Sequence, residues 1–297
     1  MKPFIITHRG LEPSNPNFYY TESTFQAFVD QLQRGYGIEF DANFSEDEKI
    51  VVFHDAGLER ITKGQDKRLF AEMTSDEIRE IRFKAGDRIC LLDELLKNID
   101  RVTKSGVSPL HLSDKVISAL HLKGKFQEKK HLDILLNYLK EAWQVLDLLM
   151  VFDVKIETAK YLKEKMPKLQ LAPSVAHPYD IERYNKAVAG TLLNLEEAIV
   201  HKDLFAWAWL DEWDLANRNG GKKKLYTAEV FDTLKNNGIK IALVTPELHG
   251  TSPGLLGGEA HPDADKDRLL ARIQEIINLR PDAICTDFPE EVKKMLI

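Results

Sequence analysis

The sequence lacks the features that mark disulfide-rich, membrane-spanning and nucleic-acid-binding proteins. Only two cysteines occur, Cys90 and Cys285, so a disulfide framework or a zinc cluster is not expected, and both residues are predicted to be buried thiols. No run of 18 or more apolar residues is present, and the N-terminus has no apolar signal segment. We therefore expect a cytoplasmic protein with no transmembrane segment. The net charge of −6 argues against a nucleic-acid partner.

What the sequence does contain is a regular alternation of apolar strands and amphipathic helices. This order is typical of βαβ units in a parallel sheet, and eight units over 297 residues favour an α/β fold, a (β/α)₈ TIM barrel. No G-x-G-x-x-G turn is found, which weakens the alternative of a dinucleotide-binding sheet. We predict one domain, residues 1–297, with a small insertion at about 56–112 after the second barrel strand. The predicted strands are 2–7, 36–41, 117–124, one ending near Asp153, 169–175, 204–210, 239–245 and 282–287.

Several helix boundaries are also predicted from local signals. Thr21 resembles an N-cap for a helix over 22–34, and Thr74 with Glu77 forms the pattern of a capping box. A further helix is expected over 89–99. Thr227 and Gly238 are predicted to begin and end a helix over 227–237.

The most informative stretch is 38–55, which contains two carboxylates within an apolar strand. Glu39 and Asp41 are two residues apart, so in a strand their side chains point to the same side. Two buried carboxylates repel each other unless a cation lies between them, and a divalent metal is the simplest partner. His54 and Asp55 then follow four apolar residues and supply a group that titrates near pH 7.

The barrel prediction gives these residues a common location. Active sites of this fold lie at the carboxyl ends of the strands, so polar residues at strand ends are expected to converge on one rim. The residues placed there by the predicted strands are His8, Arg9, Glu39, Asp41, His121, Lys123, Trp209, Thr245 and Asp287.

The motifs at these positions resemble those of the glycerophosphodiester phosphodiesterase family. The similarity covers nearly the whole chain and is densest over the first 64 residues. The family pattern is matched by His8-Arg9-Gly10, Glu22-Ser23-Thr24, Glu39-Phe40-Asp41, Ser45-Glu46-Asp47, His54-Asp55, 58–64 and Thr286-Asp287-Phe288-Pro289.

The resemblance implies metal-dependent hydrolysis of a glycerophosphodiester to sn-glycerol 3-phosphate and an alcohol. A glycerol hydroxyl would attack first to give a cyclic product, which water then opens. One divalent ion (Mg, Ca, Mn or Zn) would neutralise the phosphate charge, and the histidine in its donor set favours zinc or manganese over calcium. The implied roles are: His8 and His54 catalytic; Arg9, Lys123 and Trp209 phosphate- or substrate-binding; Glu39, Asp41 and His121 metal ligands; Glu22 and Asp55 supporting.

Three departures from the family pattern leave alternatives open. Ser23 stands where the family usually has Asn, His121 where it commonly has a Glu ligand, and Val244 where it often has Trp. His121 could instead fill the barrel or contact phosphate, and Trp209 could pack in the core. Asp153-Val154-Lys155 could also mimic the Glu-x-Lys motif that carries the family's third ligand, although it lies one strand later. The substrate could be a lysophospholipid, bound in an apolar groove formed by 246–265, or the chain could be an inactive phosphate-binding homologue. Whether it forms a homo-oligomer is also open.

Overall fold

A computed structural model describes residues 2–105, 116–218, 220–250 and 260–297. Strands and helices alternate along this part of the chain. The strands are β1 Phe4–His8, β2 Gly37–Phe44, β3 Ile50–Val52, β4 Cys90–Leu91, β5 Ser118–His121, β6 Leu149–Phe152, β7 Gln170–Ala172, β8 Ser174–Val175, β9 Leu192–Leu193, β10 Trp207–Leu210, β11 Lys240–Val244 and β12 Ala283–Thr286. The α-helices are α1 Phe25–Gln33, α2 Ser75–Arg79, α3 Leu92–Ser105, α4 Lys129–Glu141, α5 Ile156–Lys165, α6 Pro178–Tyr184, α7 Leu195–Val200, α8 Ala228–Asn236, α9 Glu247–Gly250, α10 Lys266–Asn278 and α11 Pro289–Met295.

The parallel strands form the predicted (β/α)₈ barrel. Their order is β7-β6-β5-β2-β1-β12-β11-β10-β8, and neighbouring strands pair in parallel. Only Pro173 separates β7, which pairs with β6, from β8, which pairs with β10. The segment 170–175 therefore acts as one bent strand that closes the sheet. Proline has no backbone N–H to donate, which accounts for the break in the strand predicted over 169–175.

Apolar side chains pack on both sides of the sheet. Outward-facing residues of β2, β5 and β6 form one cluster with the helices that surround them, as expected for parallel strands covered on both faces. A second cluster fills the barrel. It comprises Ile6, Ile117, Ala119, Met150, Phe152, Ala172, Trp207, Trp209, Ala242, Val244, Ala283 and Cys285. The lower barrel is thus a packed core, and the polar residues of β2 and β5 lie at its upper end.

The second strand is longer than predicted, and the chain after it forms a small substructure. β2 continues to Phe44 and pairs with β3 in an antiparallel hairpin. Residues 51–91 build their own apolar cluster around Phe53 and Phe70. By contrast, α3 packs against the barrel layer through Leu95 and Leu96. The predicted insertion at about 56–112 thus contains one helix that belongs to the barrel, and its residues 106–112 lie outside the described ranges.

Several predicted boundaries were wrong. The strand predicted over 117–124 ends at His121, and the strand predicted over 204–210 begins only at Trp207. The N-cap of α1 is Thr24, whose hydroxyl accepts the N–H of Ala27, and Thr21 instead lies in the preceding loop. Ser23 adopts a φ of +59°, so the helix cannot extend back through it. The helix predicted over 89–99 begins only at Leu92, because the two residues before it pair with β3.

The end predicted for the helix over 89–99 was also wrong, because α3 continues to Ser105, whereas two other helix signals agree with the structure. The capping box of Thr74 and Glu77 is present, and Thr227 caps α8, with Gly238 at a φ of +75° just beyond its end. The strand β9 was not predicted, since two residues give no periodic signal. Among the helices of the described residues, none is both long and apolar enough to cross a membrane.

Candidate active site

The carboxyl ends of three neighbouring strands bring the predicted ligands together. His8 of β1 is in register with Glu39 of β2, and Asp41 of β2 is in register with His121 of β5. One ligand atom from each of Glu39, Asp41 and His121 lies within 4.8 Å of the others. We call these three residues the rim cluster. The alternation of side chains along β2 therefore delivers both carboxylates to one place, as expected.

The rim cluster fits a divalent cation. Glu39 is 4% exposed and Asp41 is 1% exposed. Within the described part of the chain, Oδ2 of Asp41 is buried and has no hydrogen-bond partner. Burial, together with the charge of Asp41, raises the pKa of Glu39. Two desolvated carboxylates with an unsatisfied oxygen and an imidazole nitrogen form a donor set that a cation would complete.

His121 is held between two carboxylates. Its Nδ1 lies 2.8 Å from Oδ1 of Asp41, and its Nε2 lies 3.3 Å from Oδ2 of Asp153. Burial alone would lower the pKa of His121, but the hydrogen bonds to Asp153 and Asp41 outweigh it and raise the pKa to about 10. These two hydrogen bonds therefore favour the protonated imidazole when no cation is bound.

His8 is paired with a carboxylate from the last strand. Its Nδ1 lies 2.9 Å from Oδ1 of Asp287, the residue after β12. Burial opposes the charged imidazole, but the carboxylate of Asp287 outweighs it, so the net pKa of His8 is raised. With Nδ1 engaged by Asp287, Nε2 is the ring nitrogen of His8 that remains for a further contact.

His54 has a different electrostatic environment. Its Nδ1 lies 2.8 Å from Oδ1 of Asp55, and Arg60 links the other oxygen of Asp55 to Glu22. Burial is the main cause of a lowered pKa for His54, and the positive charges of Arg9 and Lys123 add to it. The two predicted catalytic histidines are therefore shifted in opposite directions.

Two positively charged side chains, those of Arg9 and Lys123, lie beside the rim cluster. The backbone N–H of Arg9 donates to Oε2 of Glu39, and its guanidinium lies 3.7 Å from Glu22. Lys123 Nζ is 3.4 Å from Oδ1 of Asp41 and donates to the backbone oxygen of His54. Nε of Arg9 is buried and has no partner among the described residues. Both residues are placed to receive an anionic group.

Trp209 lies below the other predicted site residues. It is 3% exposed, and its ring stacks on Phe152 with the centroids 3.9 Å apart. Phe152 in turn stacks on His121 at 4.8 Å. The three rings form a continuous stack inside the barrel, so the contact of Trp209 with the site runs through Phe152.

Glu247 is a site residue that the sequence analysis missed. Its Oε1 accepts hydrogen bonds from the hydroxyls of Thr245 and Thr286 and from the backbone N–H of Asp287. It thereby links the ends of β11 and β12 next to Asp287, the hydrogen-bond partner of His8. The available signal was a carboxylate two residues after the strand predicted over 239–245. The sequence did not predict its position, because a long loop follows that strand.

Comparison with known proteins agrees with this geometry. Residues 8–291 match the model of the Glycerophosphoryl diester phosphodiesterase family. This chain belongs to that family. The predicted resemblance is confirmed, and the family is one of phosphoric diester hydrolases, the class of enzyme that the sequence predicted.

Individual relatives are more distant. A Glycerophosphodiester phosphodiesterase of Caldanaerobacter subterraneus is 34% identical over 107 residues, which span 33% of this chain and 41% of the relative. The structure of a Glycerophosphoryl diester phosphodiesterase from Parabacteroides distasonis has a TM-score of 0.63 at 18% identity and covers 99% and 86% of the two chains. An Oleispira antarctica phosphodiesterase in complex with the product sn-glycerol-3-phosphate has a TM-score of 0.62 at 17% identity, covering 99% and 97%. These structural likenesses confirm the barrel fold.

Proposed function

We propose that this chain is a metal-dependent glycerophosphodiester phosphodiesterase that releases sn-glycerol 3-phosphate and an alcohol. The observation that carries the proposal is the arrangement of one rim: a cation-binding donor set lies between two histidines whose pKa values are shifted apart. Such a pair separates the acid and base roles at one pH. Membership of the family supports the same activity.

Glu39, Asp41 and His121 would hold the cation. When bound, the ion neutralises negative charge on the phosphodiester and so makes the phosphorus accessible to a nucleophile. Two carboxylates and one imidazole suit zinc or manganese better than calcium, with magnesium a further candidate. Arg9 and Lys123 would contact the phosphate oxygens, the first through a planar fork and the second as a point charge.

The histidines have distinct roles in this proposal. His54, whose pKa is lowered, is neutral and accepts the proton of the attacking hydroxyl while the new O–P bond forms. His8, whose raised pKa favours the protonated form, donates a proton to the alkoxide as the P–O bond to the alcohol breaks. When water opens a cyclic product, the two roles reverse and both histidines return to their starting states. Asp287 and Asp55 hold the two rings through Nδ1.

The proposal is tested by assaying glycerol 3-phosphate release from glycerophosphocholine with a panel of divalent metals. We expect turnover with Mn²⁺ or Zn²⁺, and a loss of about 10²- to 10⁴-fold in His54→Ala and in His8→Ala. His201→Ala, which replaces a histidine outside the rim, is the matched control and should retain full activity. No turnover with any metal, or equal turnover in His54→Ala, would refute the assignment.

The same assay separates the alternatives. Cleavage of a lysophospholipid without cleavage of glycerophosphocholine would identify the lipid as the substrate. The groove expected for that case involves residues 246–265, of which 251–259 lie outside the described ranges. Phosphate binding without turnover would indicate an inactive homologue. The cytoplasmic location and the absence of a nucleic-acid partner remain predictions.

A further inference from the structure

Asp153 has an unusual backbone conformation directly beside the rim cluster. It follows β6, is 5% exposed and has a φ of +65°. A residue other than glycine is strained in this left-handed region, although Asp and Asn tolerate it best. Such a conformation persists only where the surrounding contacts impose it.

Gln127 supplies those contacts. Its amide nitrogen donates to the backbone oxygens of Asp153 and Leu122, and its amide oxygen accepts the backbone N–H of Lys155 at 2.9 Å. One side chain thus links the loops that follow β5 and β6. This clamp fixes the direction in which the carboxylate of Asp153 leaves the backbone.

That carboxylate is directed at His121. Oδ2 of Asp153 lies 3.3 Å from Nε2 of the ring, on the opposite edge from Nδ1, which lies 2.8 Å from Asp41. The ring face stacks on Phe152 at an interplanar angle of 15°. Two edges and one face of the imidazole therefore have contacts, and Nδ1 is the nitrogen beside Asp41.

We propose that Asp153 is a positioning residue of the metal site: it accepts Nε2–H of His121 so that the Nδ1 lone pair faces the cation held with Glu39 and Asp41. This inference rests on the proposed metal-dependent function. An imidazole ligand commonly donates its second N–H to a carboxylate, which selects the tautomer and increases the basicity of the ligating nitrogen. Asp153 supplies that carboxylate from a neighbouring strand, with no sequence proximity to any of the three ligands.

The direct test measures metal affinity, independently of activity. The chelator-treated protein is titrated with Mn²⁺ alone, and separately with Zn²⁺ through a competing indicator. Removing the carboxylate in Asp153→Asn should raise the dissociation constant about 10- to 100-fold. Asp180→Asn, which replaces an equally buried carboxylate paired with Lys223, is the matched control and should leave the dissociation constant within about twofold of wild type.

Two further variants keep the test decisive. Asp153→Gly removes the carboxylate and, like Asn, accepts a positive φ, so neither change strains the backbone. Asp153→Gly should weaken metal binding at least as much as Asp153→Asn, whose amide oxygen can still accept Nε2–H. In a His121→Ala background, Asp153→Asn should have little further effect, because the carboxylate acts through the ring.

The contrary results are equally specific. Unchanged affinity in both Asp153 variants, or no binding of metal by the wild-type protein, would overturn the inference. So would a tenfold further loss from Asp153→Asn in the His121→Ala background, which would make Asp153 a ligand itself. Failure of the proposed activity is distinguishable, since the metal titration requires no substrate: an inactive protein with the predicted affinity pattern would refute the phosphodiesterase and retain the role of Asp153.

Discussion

Two clusters of buried charge at the top of this barrel are built in opposite ways. In the rim cluster, the two carboxylates are desolvated, and Oδ2 of Asp41 has no partner within the described residues. The second cluster surrounds Glu212, which is 2% exposed; Oε1 lies 2.9 Å from Arg272 and 3.4 Å from His261. Its Oε2 accepts the backbone N–H of Tyr226 at 3.0 Å and that of Leu225. We call this the Glu212 cluster.

The pKa values of Glu39 and Glu212 shift in opposite directions, whereas that of Asp41, despite its burial, is held well below the ordinary value by Lys123, His54 and His121. Burial, with the charge of Asp41, raises the pKa of Glu39. Burial acts in the same sense on Glu212, but its hydrogen bonds and the charge of Arg272 outweigh it and lower the pKa to about 2. A buried carboxylate with all its partners stabilises the fold, whereas one lacking them is stabilised by a ligand from outside. The comparison therefore predicts a structural role for the Glu212 cluster and a ligand-binding role for the rim cluster.

The largest expected effect comes from neutralising the rim cluster. Glu39→Gln should abolish measurable turnover and weaken Mn²⁺ binding by about 100-fold or more, because a charged ligand is lost. At neutral pH the metal-free variant should be more stable than the metal-free wild-type protein, because a repulsive buried charge is removed. We expect its free energy of unfolding to be about 1 kcal/mol higher, and its unfolding temperature to be higher accordingly. Calorimetric unfolding with and without Mn²⁺ measures both. A metal-free variant less stable than wild type would contradict the comparison.

The corresponding change in the Glu212 cluster should act on stability alone. Glu212→Gln should lower the free energy of unfolding by about 3 kcal/mol, since it removes the buried anionic partner of Arg272 and leaves only the exposed one, and should change Mn²⁺ affinity by less than about twofold. Denaturant unfolding provides the measurement. Glu275→Gln removes the exposed partner of the same arginine and is the control, with an expected change under about 1 kcal/mol.

Lowering the pH should remove the stabilisation that the carboxylate of Glu212 provides. The folded pKa of Glu212, about 2, lies below the ordinary 4.5, so its stabilisation is complete above pH 4.5 and is lost as the pH falls towards 2. The wild-type protein and Glu212→Gln should therefore converge in stability across this interval. A constant difference between them down to pH 2 would show that the carboxylate charge is not what stabilises the cluster.

The histidines at the rim predict a bell-shaped pH dependence of kcat/KM. His54 must be neutral and its pKa lies below the ordinary 6.5, so the acid limb should fall below pH 6.5, with a tenfold loss per unit. His8 must be protonated and its pKa is raised, so the alkaline limb should lie above pH 6.5. Asp287→Asn should move only the alkaline limb to lower pH. Movement of the acid limb instead would reverse the assigned roles.

The smallest expected effect concerns Glu247, which combines features of both clusters. Its Oε1 has three donors, whereas its Oε2 is buried without a partner in the described ranges. Burial and the charge of Asp287 raise its pKa, which favours the protonated form. Glu247→Ala should lower kcat about tenfold by releasing Asp287, whereas Glu247→Gln, which mimics the neutral carboxyl, should restore most of it. Equal losses in both variants would contradict this role.

The sequence predicted the parts of the site that depend on local periodicity. Glu39 and Asp41 were found because a strand has a period of two, and His8 and His121 because each ends a strand of a recognisable βαβ unit. The closure of the barrel through a bend was also visible in principle, since Pro173 interrupts its strand.

The remaining parts depend on backbone direction and on contacts distant in sequence. The carboxylate of Asp153 reaches His121 because of a positive φ imposed by Gln127, and no local pattern encodes that. Glu247 contacts Asp287 across 40 residues, and its role follows from the turn after β11. The N-cap of α1 was wrongly predicted for the same reason. Ser23 has a left-handed backbone conformation, which cannot be predicted from a serine in the sequence.

The most direct test of the central claim is one titration of the chelator-treated protein with Mn²⁺, in which bound metal and the rate of glycerol 3-phosphate release from glycerophosphocholine are followed together. The rim cluster predicts that the rate rises in proportion to bound metal and reaches its plateau at one ion per chain. A rate that is already maximal in chelator, or that stays at background when one ion is bound, would contradict the assignment of Glu39, Asp41 and His121 as a catalytic metal site.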